Sequence, residues 1–339
     1  MQAVAIIRDH TAKDVASSTV AVVIPCYRTE GRVIDVLTEM PAFVDHVFCV
    51  DDACPEGIGD VIEREVDDTR VKVVRHDENQ GVGGATITGY KAALDAGVKI
   101  VVKMDGDGQM DPTDMERIIL PIVEKRADYT KGNRFFRLDD VRQMPAVRIF
   151  GNGCLTFMAK FSTGYWNMFD PTNGYTAIHS SVLLQLPLER LHRRYFFESD
   201  ILFRLSTIRA VVCDVPIKAK YGDERSSLKI SNVLGSFLWG HIRNTFKRII
   251  YAYYLRNFQV ASIELLLGIG LLIFGGVFGT TTWINSATAG IATPAGTVML
   301  AALPVILGLQ LLLAALNYDI ASTPTQVLHK ELRDEREDA

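Results

Sequence analysis

Cysteine, histidine and net charge are the scarce features of this 339-residue chain, and each scarcity removes a class of function. The five cysteines (Cys26, Cys49, Cys54, Cys154 and Cys213) are odd in number and contain no C-x-x-C spacing. That argues against a disulfide framework and against a zinc site, and leaves reduced thiols in a cytosolic setting. The seven histidines are scattered, and no Ser-His-Asp or Cys-His grouping offers a covalent nucleophile. A formal net charge of −4 gives no electrostatic footprint for nucleic acid, and none is expected as a partner. Residues 1–18 lack a long apolar core and a small-residue cleavage site, so they read as an N-terminal extension and not as a signal peptide.

What is abundant is apolar: hydrophobic residues make up 48% of the chain, and the excess falls after about residue 258. Before it, short β-branched runs at residues 20–25, 46–50, 71–75 and 99–104 alternate with helical patterns at 31–40, 60–66, 84–96 and 114–126. Strands alternating with helices imply βαβ units and a mostly parallel sheet covered on both faces. Ligands of such sheets bind beyond the carboxyl ends of the strands. Three strand ends there carry chemistry: Pro25 into Cys26-Tyr27-Arg28-Thr29-Glu30, Val50 into Asp51-Asp52, and Met104 into Asp105-Gly106-Asp107-Gly108-Gln109.

Asp105 and Asp107 are the central pair. Two carboxylates separated by one glycine at a strand end can hold a hard divalent cation, and Mg²⁺ and Mn²⁺ bind carboxylate and nucleotide phosphate together. The turn at residues 79–85, NQGVGGA, is glycine-rich, but it is not G-x-G-x-x-G and follows the third strand, so it fits a dinucleotide site poorly. Taken in order, IPCYRTE, VDDACPEG, NQGVGGA, DGDGQMDP and KGNRF resemble the glycosyltransferase family 2 pattern with its GT-A fold, and more narrowly the polyprenyl- and dolichyl-phosphate sugar synthases. The resemblance covers roughly residues 20–230. It implies that Pro25, Tyr27 and Glu30 line the nucleoside pocket. Asp51 would meet the base with Asp52 close by, and Asp105 and Asp107 would form the metal-and-phosphate pair beside Gln109. Asp170 and Glu198 would line the donor-sugar site. The chain departs from the pattern at Arg28, where the family commonly has Asn, and at Ala53-Cys54, where it commonly has Gly-Ser; both departures bear on base preference.

The acceptor in these enzymes is a lipid phosphate, held by an Arg after the fifth strand and by a basic, hydroxyl-bearing segment. Arg134, in Lys131-Gly132-Asn133-Arg134, and the segment Arg225-Ser226-Ser227-Leu228-Lys229 resemble these, which makes Arg134, Arg225, Ser227 and Lys229 the expected acceptor-phosphate groups. A phosphate monoester is already ionised near neutral pH and needs little general-base help. The expectation is one in-line displacement with inversion, the diphosphate neutralised by the cation and the nucleophile aligned by the basic groups.

Two apolar runs, about 261–284 and 296–317, are each long enough to cross a bilayer as a helix. Arg243, Lys247, Arg248 and Arg256 precede the first, and His329, Lys330, Arg333 and Arg336 follow the second; the loop between has no charge. Both termini and the catalytic domain are therefore expected on the cytoplasmic side of the inner (plasma) membrane. Residues 232–256 carry an apolar stripe beside a basic one, as in a helix lying on a membrane surface. Gly268, Gly275, Gly276 and Gly279 would allow close helix contact and a homo-oligomer through the spans.

The expected architecture is an α/β GT-A catalytic domain (19–230), an amphipathic interfacial helix (231–257), a two-helix anchor (258–318) and a charged tail (319–339). The expected function is transfer of a sugar from a nucleotide-sugar of the UDP-glucose or GDP-mannose type to a polyprenyl phosphate, with Mg²⁺ or Mn²⁺. The rival readings are a processive polysaccharide synthase, disfavoured by the lack of Q-x-x-R-W and by only two spans, and a catalytically silent nucleotide-sugar-binding membrane protein.

Overall fold

Val20, Val22, Ile24 and Cys26 face one side of strand β1 (Val20–Cys26), Ala21 and Val23 face the other, and all six are buried. A strand buried on both faces requires a covering layer on each. The computed structural model describes residues 18–29, 31–136, 146–218 and 230–337, with 146–148, 230–234 and 333–337 described by backbone alone. On one face of β1 lie α1 (Arg32–Thr38), α2 (Ile58–Glu65) and α4 (Met115–Val123), through Val33, Ile62 and Ile118. On the other lie α3 (Val82–Asp95), α5 (Ala146–Thr163), the short α6 (Ser180–Leu183) and α7 (Phe197–Thr207), through Tyr90, Ala159, Val182 and Ile201.

The sheet has seven strands, ordered β3-β2-β1-β4-β6-β5-β7. The strands besides β1 are β2 (His46–Asp51), β3 (Val71–Arg75), β4 (Ile100–Lys103), β5 (Tyr129–Asn133), β6 (Thr176–His179) and β7 (Val212–Pro216). The pairings β1·β2, β1·β4, β2·β3 and β5·β7 are parallel, whereas β6 runs antiparallel to both β4 and β5. The reversal has a consequence for the site. Lys103 and Lys131, near the ends of β4 and β5, both pair with Thr176, the first residue of β6. The segment leading into β6, from Asp170 to Tyr175, therefore lies at the same edge as the carboxyl ends of β1, β2, β4 and β5.

The expected elements form with shifted ends. The helix expected over 60–66 begins at Ile58, after Gly57 in the left-handed region (φ 60°). The one expected over 114–126 ends at Val123, and Lys125 just beyond it has φ 55°. β5 is in register with β7 along its whole length to Asn133 and with β6 through Lys131.

The chain divides into two compact units, residues 1–245 with 324–339, and residues 246–323. In the first, the chain returns after residue 323 to the sheet edge opposite the carboxyl ends of the strands. There the buried Asp128 carboxylate accepts hydrogen bonds from the backbone N–H groups of Val211 (2.8 Å), Leu328 (2.9 Å) and His329 (2.8 Å), and from His329 Nδ1 (2.8 Å). It caps the start of the terminal helix (Leu328–Glu337), satisfying N–H groups that have no partner within the helix.

The second unit holds the helices Val260–Ala289 and Ala295–Ala321, about 45 and 40 Å long at 1.5 Å per residue, both long and apolar enough to cross a membrane. A Cβ on Gly268 would lie 3.0 Å from the Gly308 carbonyl oxygen, one on Gly275 2.8 Å from that of Ala301, and one on Gly279 3.2 Å from Ala301 Cβ. These glycines bring the two helices of one hairpin together, and Gly276 lies on the open side. Arg248, ahead of the first helix, pairs bidentately with Asp319 near the end of the second (2.7 and 3.0 Å), and Tyr253 adds a 2.9 Å hydrogen bond. The entry and exit of the hairpin are thus tied together.

Candidate active site

β4 ends in Lys103-Met104-Asp105-Gly106-Asp107, and a tight turn follows. Gly108 sits at φ 75°, a conformation that costs a side chain about 1–2 kcal/mol. The Gln109 N–H donates to Asp107 Oδ1 (3.0 Å), and the Asp105 N–H donates to Met110 Sδ (3.3 Å). Burial and the neighbouring Asp105 carboxylate raise the Asp107 pKa above the ordinary aspartate value. Two adjacent hard carboxylates, one of them disfavoured as an anion by burial and by the other, are a donor set that a divalent cation suits. Among the described residues there is no cluster of three or more acidic, His or Cys side chains around such an ion, so nucleotide oxygens and water would have to complete its coordination.

Lys103 is the residue that sequence reasoning missed. It lies in an otherwise apolar strand, 1% exposed, and its Nζ donates to Asp105 Oδ1 (2.7 Å) and Glu198 Oε1 (3.1 Å). β4 explains the direction: Val101 and Lys103 share the face that packs against α7, whose first turn carries Glu198. Burial disfavours its charge, but Asp105 and Glu198 outweigh it and raise its pKa. Burial, reinforced by Asp105, raises Glu198 against the opposing pull of Lys103. The sequence did carry a clue, since a lysine interrupting a β-branched run is almost never fully buried unless paired. Gly174 closes over this group: a Cβ there would lie 2.5 Å from Asp105 Oδ2 and 2.6 Å from Lys103 Nζ.

Facing it is a second charged pair. Arg134, at the end of β5, donates through Nε and Nη2 to the two oxygens of Asp170 (2.8 Å each). The Asp170 side chain is fully buried, whereas that of Arg134 is 22% exposed. Burial pushes the Asp170 carboxyl up, but Arg134, Lys131 and Asn173 together hold it below the usual aspartate range. Lys131 Nζ donates to the carbonyls of Phe169 and Asp170 and pairs with Asp214 (3.1 Å), which fixes the segment leading into β6.

The acids at the end of β2 are structural donors' partners. Asp51 accepts from the N–H groups of Cys54 (2.8 Å) and Gly59 (2.9 Å). Asp52, 2% exposed, accepts from Gln80 N (2.8 Å), Gly81 N (2.7 Å) and His76 Nδ1 (2.7 Å). The Gly84 N–H donates to the Arg193 carbonyl (2.9 Å). These three amides of the glycine-rich turn are thus spent on protein groups instead of on a phosphate. Tyr27 is 43% exposed beyond β1, with the Arg28 guanidinium 5.4 Å from its ring centre; Pro25, within β1, and Gln109, two residues after Asp107, are half-buried. Both departures from the family pattern are backbone-strained: Arg28 has φ 54° and Ala53 φ 51°, values that Asn and Gly adopt more readily. Glu30, Arg225, Ser227 and Lys229 lie outside the described residues.

The sheet order, the single reversed strand and the acidic pair at the end of β4 define a GT-A fold, and solved structures agree. Glucosyl-3-phosphoglycerate synthase from Mycobacterium tuberculosis, in complex with Mn²⁺, uridine diphosphate and glucosyl-3-phosphoglycerate, superposes with a TM-score of 0.52 at 16% identity, covering 70% of this chain and 82% of that one. Residues 21–186 match the family Glycosyl transferase family 2, and the chain carries a domain of that family. Its relatives include the UDP-N-acetylglucosamine–dolichyl-phosphate N-acetylglucosaminyltransferase of Methanococcus voltae, 28% identical over 66% of this chain and 93% of that protein. Another is the undecaprenyl-phosphate mannosyltransferase of Micrococcus luteus, 29% identical over 58% of this chain and 82% of that protein.

Proposed function

We propose that the protein transfers one sugar from a nucleotide-diphosphate sugar to the phosphate of a polyprenyl lipid at the cytoplasmic face of a membrane. The observation that carries this reading is the convergence, at one sheet edge, of Asp105 and Asp107 with the Arg134–Asp170 pair, in a chain that also holds an apolar hairpin. The names of the relatives support a polyprenyl- or dolichyl-phosphate acceptor. They widen the donor class beyond UDP-glucose and GDP-mannose to UDP-N-acetylglucosamine.

In this reading Tyr27 stacks on the base. Asp51 uses a remaining lone pair for a base N–H, since a carboxylate can accept about four hydrogen bonds. Asp52 acts one step back, as the latch that holds the glycine-rich turn. Asp105 and Asp107 would hold Mg²⁺ or Mn²⁺ against the diphosphate, and the bound cation would supply Lewis-acid stabilisation of the leaving group. Arg134, immobilised by Asp170, presents its guanidinium to the acceptor phosphate, with Arg225, Ser227 and Lys229 assigned to the same anion. The ionised phosphate oxygen attacks the anomeric carbon and forms the new C–O bond. The bond to the diphosphate breaks, its electron pair leaves with the nucleotide, and the configuration inverts.

Membrane topology follows the same logic. The Arg248–Asp319 tie puts the entry and exit of the hairpin at one end, and residues 328 and 329 belong to the catalytic unit. The basic residues on both flanks of the hairpin then put that end in the cytoplasm.

The test is to incubate the purified full-length protein with polyprenyl phosphate, Mg²⁺ or Mn²⁺ and a panel of UDP- and GDP-sugars, then identify the lipid product by mass. One hexose or N-acetylhexosamine on the lipid phosphate is expected. A polymer would favour the processive reading, and no lipid-linked product from any donor would overturn the proposal.

A further inference from the structure

We propose that Lys103 is a built-in cation that holds the place of a second metal ion, so that the site takes a single divalent cation and Glu198 is excluded from its ligands. The inference rests on the reading of Asp105 and Asp107 as the cation pair and goes one step beyond it.

Two acidic side chains from separate elements meet at one ammonium: Lys103 Nζ contacts Asp105 (2.7 Å) and Glu198 (3.1 Å), and Asp107 follows Asp105 in the turn after β4. A lysine buried to 1% is expensive, and an aliphatic residue would fill the same strand position without that cost. Packing therefore does not explain it. The geometry does: the ammonium lies between carboxylates on two separate elements, β4 and α7, as a bridging ion would. It takes Asp105 Oδ1, while Oδ2 lies over Gly174, where the missing Cβ makes room. Glu198, nine-tenths buried, is satisfied by Lys103 and faces away from solvent. Three carboxylates against one ammonium leave two negative charges, the charge that one divalent cation cancels.

Charge-altering variants should then act in opposite directions. Glu198→Gln leaves Lys103 with Asp105 alone and removes one negative charge from the site. Removing Lys103 as well restores the original net charge. A unit charge gained or lost in a half-buried site that holds a divalent cation changes its affinity by roughly tenfold or more.

The experiment titrates the full-length, detergent-purified protein with Mn²⁺ in the presence of UDP or GDP and reads bound Mn²⁺ by electron paramagnetic resonance. Thermal unfolding of each variant is followed in parallel. Wild type should bind one Mn²⁺ per chain. Glu198→Gln should bind it about tenfold more weakly, and Lys103→Met/Glu198→Gln should return to within about threefold of wild type. Lys103→Met alone should bind at least as tightly as wild type and accept a second Mn²⁺. A purely structural pair would lower the unfolding temperature of both single variants without this inversion of affinity. Wild-type affinity in Glu198→Gln, or no recovery in the double variant, overturns the role of Lys103. Absence of Mn²⁺ binding by wild type, or its persistence in Asp107→Asn, instead overturns the cation site itself.

Discussion

Replacing Arg134 by Gln separates the two roles that the structure gives this residue. Its guanidinium supplies both charged hydrogen bonds to the fully buried Asp170 carboxylate, at 2.8 Å each. In its absence Asp170 keeps, among the described residues, hydrogen bonds from Asn173 Nδ2 at 3.2 Å and the backbone N–H of residue 134 at 3.5 Å, with the Lys131 charge as a weaker support. An uncompensated buried carboxylate costs about 3–5 kcal/mol. For a unit of this size, that lowers the unfolding temperature by about 10 °C. Asp170→Asn in the same chain removes the stranded charge, so the double variant should recover about 2 kcal/mol or more, read as a double-mutant cycle by thermal unfolding. Acceptor kinetics should behave differently: KM for polyprenyl phosphate should rise about tenfold or more in Arg134→Gln and stay raised in the double variant, because the phosphate partner is still missing. If the unfolding temperature of Arg134→Gln stays within about 2 °C of wild type, Asp170 does not depend on the pair and the energetic reasoning fails. If the double variant recovers acceptor KM along with stability, Arg134 acts through the fold alone.

Three further outcomes follow from the geometry. Gly174→Ala would put a methyl group 2.5 Å from Asp105 Oδ2, so turnover should fall by at least about a hundredfold, with a loss of about 1–3 kcal/mol in thermal unfolding. Ala53→Gly relieves the left-handed strain at φ 51°, worth about 1–2 kcal/mol, against an added unfolded-state entropy of about 0.5–1 kcal/mol. It should stabilise the protein slightly, and a lowered unfolding temperature would refute the strain. The third outcome concerns pH. Burial lowers His179 and His241 from 6.5 to about 4, so both are neutral in the folded protein. The unfolded chain binds their protons first, hence stability is fully present above pH 6.5 and is lost as pH falls from there towards 4, by about 3 kcal/mol for each residue. His241→Asn should flatten the denaturation midpoint against pH in that window.

Local pattern carried much of this protein. The β-branched runs and the helical periodicity between them located the first four strands, and the rule that ligands sit beyond strand ends selected Asp51, Asp105 and Asp107 without any coordinates. Two long apolar stretches, charged only at Glu264, likewise announced the hairpin, because the thickness of a bilayer is a one-dimensional requirement that a run of residues either meets or does not. Strands β6 and β7 were not legible, being short runs whose pairing is decided by distant neighbours.

Partner choice belonged to the tertiary structure. Lys103 becomes the counter-ion of Asp105 and Glu198 only when α7 is laid against the end of β4, and Asp170 meets Arg134 only because β6 runs backwards between β4 and β5. Three amides of the glycine-rich turn, those of Gln80, Gly81 and Gly84, look available in the sequence, yet Asp52 and the Arg193 carbonyl take them. The physical reason is common to all three. A buried charge or N–H must be satisfied, but the group that satisfies it is fixed by which elements pack together, and that spacing is set by side-chain volume and strand order instead of by separation along the chain.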